Sequence, residues 1–166
     1  KKNNYDFVFD NTRLLKDRHQ AWERYPLILN LLKSNKYEYV IWIDADACFN
    51  LNNENKLNKI LENYSDKDII FSQDLDKNYK QYKKSKYIIN SGFIIFKNSS
   101  ISKKICRNLI NTKICNNYFH KTPWDQQCLI NLYNDNYNNL KNKSIILNYG
   151  ILQNFFNEYN NSLIFH

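Results

Sequence analysis

A short, continuously apolar run that ends in two carboxylates constrains this chain more than any other feature. Residues 39–43 are apolar at every position and rich in β-branched and aromatic side chains, which is typical of a strand buried on both faces. Asp44 and Asp46 follow directly. In open α/β sheets, ligands bind just beyond the carboxyl ends of strands. The run therefore predicts a central strand that carries two aspartates to a ligand site.

Strand and helix patterns alternate along the 166 residues, and no linker or internal repeat divides them. This alternation predicts a single domain, 1–166, built as an α/β sandwich with a largely parallel sheet. Helical spacing predicts a first helix over 14–32 with a kink at Pro26, and Thr122 and Pro123 resemble a helix cap and first turn. The other predicted strands are 5–9, 68–71, 87–89, 92–96 and 144–147, and the other helices are 57–64 and 100–111.

Charge and cysteine usage narrow the function classes only partly. The formal net charge of +8 favours anionic partners, such as phosphorylated small molecules or nucleic acid, but a chain so rich in Asn and Lys also carries lysines without a binding role. No apolar run approaches the ~20 residues of a membrane span, and an anchor outside these residues is left open. The four cysteines form no C-x-x-C pair, so we expect buried free thiols.

The two aspartates after the apolar run need a positive charge beside them. Carboxylates this close repel each other unless a cation lies between them. A hard divalent cation supplies that charge, prefers oxygen ligands and stabilises a diphosphate leaving group. The alternative from the same residues, Asp44 to Asp46, is an exposed turn rich in Asp.

Four segments, in order along the chain, resemble the GT-A-fold glycosyltransferases, most closely the retaining galactosyl-, mannosyl- and xylosyltransferase group. Residues 19–22 and 38–47 resemble that group's Trp-containing helix and its strand ending W-(I/L)-D-x-D-A. Residues 89–99 resemble its N-(A/S)-G-x-(F/L)-(I/L)-x-(R/K)-N-S segment, 124–129 its (D/E)-Q helix, and 163–166 the start of its H-x-x-G element. The resemblance implies a Rossmann-like α/β/α sandwich with a mostly parallel central sheet.

The resemblance also implies a metal site and a donor-sugar pocket. Asp44 and Asp46 would contact the metal and the nucleotide sugar, and His166 would be the third protein ligand of Mn²⁺ or Mg²⁺. Asn90, Ser91 and Gly92 would line the pocket of the donor sugar. A glycine between apolar segments independently indicates a close backbone approach, with a plain β-bulge as the alternative.

The remaining residues implied by the resemblance concern the reacting sugar. Asp74 would reach sugar hydroxyls, unless it is a solvated loop acid. Asp125 and Gln126 would face the anomeric carbon and stabilise a short-lived oxocarbenium ion, unless Asp125 is only the acid of a helix start.

Two departures from the family pattern predict that the chain is a fragment or trimmed core of a longer polypeptide. Only 5–9 precedes the first predicted helix, so the strand that binds the base is missing or lies upstream. The chain also stops at His166, before the basic residues that usually follow. The resemblance implies the Golgi lumen for a Golgi-type enzyme and the cytoplasm for a viral or bacterial-like one.

The leading prediction is a metal-dependent glycosyltransferase that moves a sugar, with retention, from a UDP- or GDP-linked donor to a hydroxyl of a glycan, protein or other acceptor. One alternative is a Mg²⁺-dependent phosphatase of the haloacid dehalogenase type, which also ends a strand in D-x-D. That type requires Thr or Val where this chain has Cys48. Another is a non-catalytic, Tyr-rich module for glycan or nucleic acid. The dispersed basic residues argue against a nucleic-acid partner.

Overall fold

The computed structural model describes residues 5–50, 53, 55–74, 89–111, 113–154 and 162–165. Within them lie seven strands and five α-helices. The strands are β1 (Tyr39–Ile43), β2 (Cys48–Phe49), β3 (Ile69–Gln73), β4 (Ile89–Lys97), β5 (Ser144–Leu147), β6 (Gln153–Asn154) and β7 (Ile164–Phe165). The helices are α1 (Arg24–Lys33), α2 (Lys56–Asn63), α3 (Ser100–Asn111), α4 (Asp125–Asn134) and α5 (Leu140–Lys143).

The central sheet has four strands in the order β1-β4-β3-β5, and β2, β7 and β6 form a small second sheet. Strand β4 is antiparallel to both of its neighbours, whereas β3 and β5 are parallel. Consequently β1, β3 and β5 all run in one direction, and their carboxyl ends meet at one edge. The predicted α/β fold is confirmed; the sheet is mixed, since three of its four strands run in one direction and β4, between β1 and β3, is reversed.

Two hydrophobic cores cover opposite faces of the central sheet. Ile94 and Phe96 of β4 pack in the larger core with helices α1, α3 and α4. The alternate residues Phe93 and Ile95 pack in the smaller core with α2 and with Ile164 of the second sheet. Successive side chains of a strand point to opposite faces, so the unbroken apolar run of β4 is what a strand between two cores requires. The layers are therefore those of a sandwich.

The first predicted helix begins later than expected. A 3-10 turn over Gln20–Glu23 precedes α1, and the Nδ1 atom of His19 accepts a hydrogen bond from the backbone of Ala21. Pro26 lies in the first turn of α1, where a missing N–H costs little, so it causes no kink. The predicted strand 5–9 is also wrong, because residues 5–15 have no regular structure.

A β-bulge interrupts β4 at Gly92. Against β3, Phe71 pairs with Ile94 but the next residue, Ser72, pairs with Asn90, so residues 91–93 are extra on the β4 side. The pairing with β1 continues through this region, and the backbone N–H of Asp44 donates to the carbonyl of Gly92 at 2.9 Å. The two predicted segments form one strand, and the β-bulge that was the alternative for Gly92 is what the register shows. Residues 87 and 88 lie outside the described residues.

The start of α4 also differs from the prediction. Thr122 is not its cap, since a turn in which the N–H of Trp124 bonds the carbonyl of Lys121 replaces the expected first helical turn. Trp124 has φ 49° and ψ −120°, an unfavourable conformation for a residue other than glycine. Its ring stacks on the His19 imidazole, with 3.8 Å between ring centroids. Packing therefore sets the helix start at Asp125.

The cysteines correct another prediction. Cys115 and Cys128 form a disulfide, with 5.6 Å between their Cα atoms. Cys106 is a buried free thiol, as predicted, whereas Cys48 is free but exposed. The predicted bounds of the remaining elements agree with the structure within a few residues, and those of β1, α3 and β5 agree fully. Among the described helices, none has the length and hydrophobicity needed to cross a bilayer.

Candidate active site

The predicted site residues that the structure describes gather where β1 and β3 end. This edge also receives the bulge of β4 and the first residues of α1 and α4. Each element contributes polar side chains, and together these form one connected network. Its members are Arg24, Tyr25, Asp44, Asp74, Asn90, Ser91, Asp125 and Gln126.

Arg24, the first residue of α1, is the centre of this network. Its side chain is only 6% exposed, and its guanidinium lies 3.3 Å from Oδ1 of Asp44 and 3.5 Å from Oδ2 of Asp125. The guanidinium also donates to the backbone carbonyls of Ala21 and Ser91. Burial alone would lower the pKa of Arg24, but the two carboxylates outweigh burial and raise it. Part of the positive charge that Asp44 requires therefore comes from the protein itself.

The two aspartates after β1 have different surroundings. Asp44 is partly exposed, and both of its side-chain contacts, with Arg24 and with the indole N–H of Trp42 at 2.7 Å, are made by Oδ1. Asp46 is exposed. Carboxylate oxygens are the ligands that hard divalent cations prefer, so these two residues fit such an ion. Among the described residues there is no group of three His, Cys, Asp or Glu side chains that could hold a metal, and His166 lies outside them.

Asp74 and Gln126 connect β3 to α4. The amide Nε2 of Gln126 donates to Oδ2 of Asp74 at 3.1 Å, and its Oε1 accepts from the backbone N–H of Ser91 at 3.0 Å. Asp74 is 3% exposed, so the alternative of a solvated loop acid is wrong. The structure places the side chains predicted for the donor sugar and for the anomeric carbon in direct contact.

Asn90 fixes the β4 bulge against Asp74. Its Nδ2 donates to Oδ1 of Asp74 at 3.3 Å, and its Oδ1 accepts from the backbone N–H of Gly92 at 2.7 Å. Asn90, Ser91 and Gly92 thus form a short polar segment inside an otherwise apolar strand. Such a segment has amide and hydroxyl groups suited to bonding sugar hydroxyls.

Asp125, the first residue of α4, is 1% exposed. Burial raises its pKa, and Arg24 together with a hydrogen bond from Tyr25 offsets part of that rise. The Tyr25 hydroxyl donates to Oδ2 of Asp125 at 2.7 Å. Burial and the nearby carboxylate hold the pKa of Tyr25 well above its ordinary value, so its hydroxyl keeps its proton. Asp125 is thus more than the acid of a helix start.

Tyr25 and Trp42 are site residues that the sequence analysis did not identify, and the sequence marked Arg24 only as one of two residues, with Lys16, that could face the diphosphate. A signal for Arg24 exists: it is the one charged residue of α1 before Lys33, and it lies one helical turn before the buried Ile28. A charged residue on the buried face of a helix needs a buried partner of opposite charge. The sequence does not say which carboxylate that partner is.

Comparisons with known proteins identify a family and a similar fold. The sequence profile of a family described as nucleotide-diphospho-sugar transferase matches residues 6–166. Seven chains of solved structures match; one is a glycosyltransferase involved in the glycosylation of the major capsid of PBCV-1. It is 17% identical, with a TM-score of 0.66 over 93% of this chain and 73% of that one, which supports the fold. The search of curated proteins found no match.

Proposed function

This chain belongs to the nucleotide-diphospho-sugar transferase family, and from that premise we propose that it is a metal-dependent glycosyltransferase whose donor site is the network around Arg24. The donor is a UDP- or GDP-linked sugar, and the acceptor is a hydroxyl of a glycan, a protein or another molecule. One observation carries the proposal. Asp44, Asp74 and Asp125, which come from three separate segments of the chain, are joined through Arg24, Gln126 and Ser91 in a single network.

Asp44 and Asp46 would hold Mn²⁺ or Mg²⁺, with His166 as a further ligand. The bound cation would supply charge neutralisation for the diphosphate, which makes the diphosphate a better leaving group. Support comes from the donor set: Asp46 is exposed, and Asp44 makes its side-chain contacts through Oδ1. Arg24 holds Asp44 in a fixed orientation through that same oxygen.

Asp74, Asn90, Ser91 and Gly92 would bind and orient the donor sugar. Asp74 is buried yet hydrogen-bonded by two amides, which keep it positioned as an acceptor. Placing the sugar accurately contributes to the rate by fixing the reacting carbon relative to the acceptor oxygen.

Gln126 and Asp125 would act on the anomeric centre, and we propose different roles for them. Gln126 is partly exposed, so its amide would meet the sugar directly. Asp125 is buried, so its carboxylate would stabilise the developing positive charge through its electric field, which is stronger where water is excluded. Retention of the anomeric configuration follows from the resemblance to retaining enzymes and is part of the proposal.

A donor panel tests this function. We would measure release of UDP or GDP from UDP-glucose, UDP-galactose, UDP-xylose and GDP-mannose, each with Mn²⁺ and with EDTA. We expect release from one donor class, with Mn²⁺ only, and a faster rate when simple sugars are added as acceptors. Product stereochemistry by NMR then tests retention. A folded protein that releases no nucleotide from any donor would favour the non-catalytic alternative, and equal release in EDTA would contradict metal dependence.

A further inference from the structure

The Tyr25 hydroxyl has no role in the donor site described above, although it lies at its centre. Tyr25 is fully buried and is the second residue of α1. Its ring packs in the larger core, 6.1 Å from the Trp22 ring between centroids. Within the described residues its hydroxyl makes one side-chain hydrogen bond, to Oδ2 of Asp125 at 2.7 Å. A residue needed only for packing would not require this hydroxyl, since phenylalanine has the same ring.

The contact joins residues of two helices that are 100 positions apart in sequence. Tyr25 lies in the first turn of α1, and Asp125 is the first residue of α4. A hydroxyl on a ring that is fixed by packing defines the position of its partner more closely than a flexible side chain does. The α1 helix therefore sets where the Asp125 carboxylate lies.

Both side-chain contacts of Asp125 end on the same oxygen. The Tyr25 hydroxyl and the Arg24 guanidinium meet Oδ2, at 2.7 and 3.5 Å. Holding one oxygen fixes the plane of the carboxylate and so the direction in which Oδ1 points. Arg24 divides its donors among Ala21, Ser91, Asp44 and Asp125, whereas Tyr25 uses its hydroxyl for Asp125 alone.

We propose that Tyr25 is a positioning residue of the transfer reaction, whose hydroxyl fixes the carboxylate of Asp125 relative to the donor sugar. This inference rests on the proposed function, because Asp125 matters to the rate only if a sugar reacts beside it. Tyr25 touches neither donor nor acceptor and acts through Asp125. The inference adds a second residue of α1, next to Arg24, to the proposed reaction.

Tyr25→Phe removes the hydroxyl and keeps the ring. With the donor that the wild type uses, and with Mn²⁺, we expect the kcat of nucleotide release to fall about 10-fold while KM changes by less than about 2-fold, since a misplaced group slows the reaction more than binding. The matched control is Tyr137→Phe. The Tyr137 hydroxyl accepts a hydrogen bond from Asn108 at 2.9 Å, so the same atom and one hydrogen bond are lost outside the network.

A double-mutant cycle separates positioning from a loss of stability. If Tyr25 acts through Asp125, Tyr25→Phe has no further effect on kcat in an Asp125→Ala background, where no side-chain oxygen is left to accept its hydrogen bond. With an active wild type, three results would overturn the inference. They are an unchanged kcat in Tyr25→Phe, a loss of kcat equal to that in Tyr137→Phe, and losses of kcat that multiply in the double variant. A folded wild type without activity on any donor would overturn the proposed function and this inference with it.

Discussion

The candidate active site has two sides that differ in burial and in what holds them. On one side, the turn from Asp44 to Asp46 follows a strand end and is largely open to solvent. On the other, Arg24, Tyr25 and Asp125 form a buried junction between the starts of α1 and α4. We call these the carboxylate turn and the helix junction. Arg24 of the helix junction also contacts the carboxylate turn, since it pairs with Asp44 as well as with Asp125.

Because of this difference, substitutions on the two sides should affect stability differently. An exposed turn can exchange ligands with solvent, so its side chains cost little stability when they change. A buried charged junction costs free energy to form and needs every partner present, because an uncompensated buried charge is strongly unfavourable. We therefore expect changes in the carboxylate turn to affect activity without unfolding, and changes in the helix junction to affect both.

The largest effect should come from Arg24→Met, which keeps the length of the side chain and removes its charge. We expect the free energy of unfolding to fall by about 3–5 kcal/mol, since Asp125 is left buried without its cation. Denaturant titration measures this. The control is Arg13→Met, since Arg13 is half-exposed and pairs with Glu23 at 3.1 Å. That change should cost less than about 1 kcal/mol; equal losses in the two variants would contradict the separation.

The next effect concerns the disulfide that ties α4 to the segment before it. Cys115→Ala should lower the free energy of unfolding by about 3 kcal/mol, because the bond constrains a loop of 13 residues in the unfolded chain. Cys48→Ala, at an exposed free thiol, is the control and should be close to neutral. A mass of the unreduced protein that shows free thiols at Cys115 and Cys128 would contradict this prediction.

Asp46→Asn should impair the function of the carboxylate turn and leave the helix junction intact. We expect kcat to fall about 100-fold, because one anionic oxygen of the proposed cation site is lost. Because Asp46 is exposed, the free energy of unfolding should fall by less than it does in Arg24→Met. Asp135→Asn, at an exposed residue just after α4, is the matched control and should leave kcat unchanged. A loss of stability in Asp46→Asn as large as that in Arg24→Met would contradict the proposed difference between the two sides.

The smallest effect is a pH dependence of stability from Asp125. Burial raises its folded pKa above the unfolded value, so its stabilising contribution is complete below the unfolded pKa and is lost as the pH rises through the folded one. Asp125→Asn should therefore gain stability relative to wild type as the pH rises above about 4, the ordinary pKa of an aspartate. Asp66→Asn is a control in which the pH dependence of stability should have the opposite sign. The Lys67 hydrogen bond lowers the pKa of Asp66, so its contribution is lost as the pH falls. Parallel pH curves for wild type and Asp125→Asn would contradict this.

The two sides also differ in how far the sequence predicts them. The carboxylate turn is encoded locally: an apolar run fixes β1, and the aspartates must follow its end. The helix junction depends on residues 100 positions apart, and no local pattern indicates that Tyr25 meets Asp125. The α4 start was misread for the same reason. Thr122 and Pro123 have good local capping chemistry, but the stack of Trp124 on His19 determines where the helix begins.

In other elements too, local patterns are predictable from the sequence and long-range contacts are not. Strand β5 and helix α3 were predicted to the residue because their apolar periodicity and bounding polar residues agree. The cysteine spacing does not predict the Cys115–Cys128 disulfide, because the pairing depends on how α4 packs against the 3-10 helix Lys113–Tyr118. The prediction for His166 lies outside the described residues and stays a prediction.

The central claim is that the carboxylate turn is a metal-dependent nucleotide site beside the helix junction. Calorimetric titration of the wild type with UDP and with GDP, each with and without Mn²⁺, tests it most directly, with folded Asp46→Asn and Asp135→Asn titrated in parallel. We predict that one of the two nucleotides binds, only with Mn²⁺, and that binding is lost in Asp46→Asn and kept in Asp135→Asn. Binding that is the same without Mn²⁺, or unchanged in Asp46→Asn, would contradict the claim.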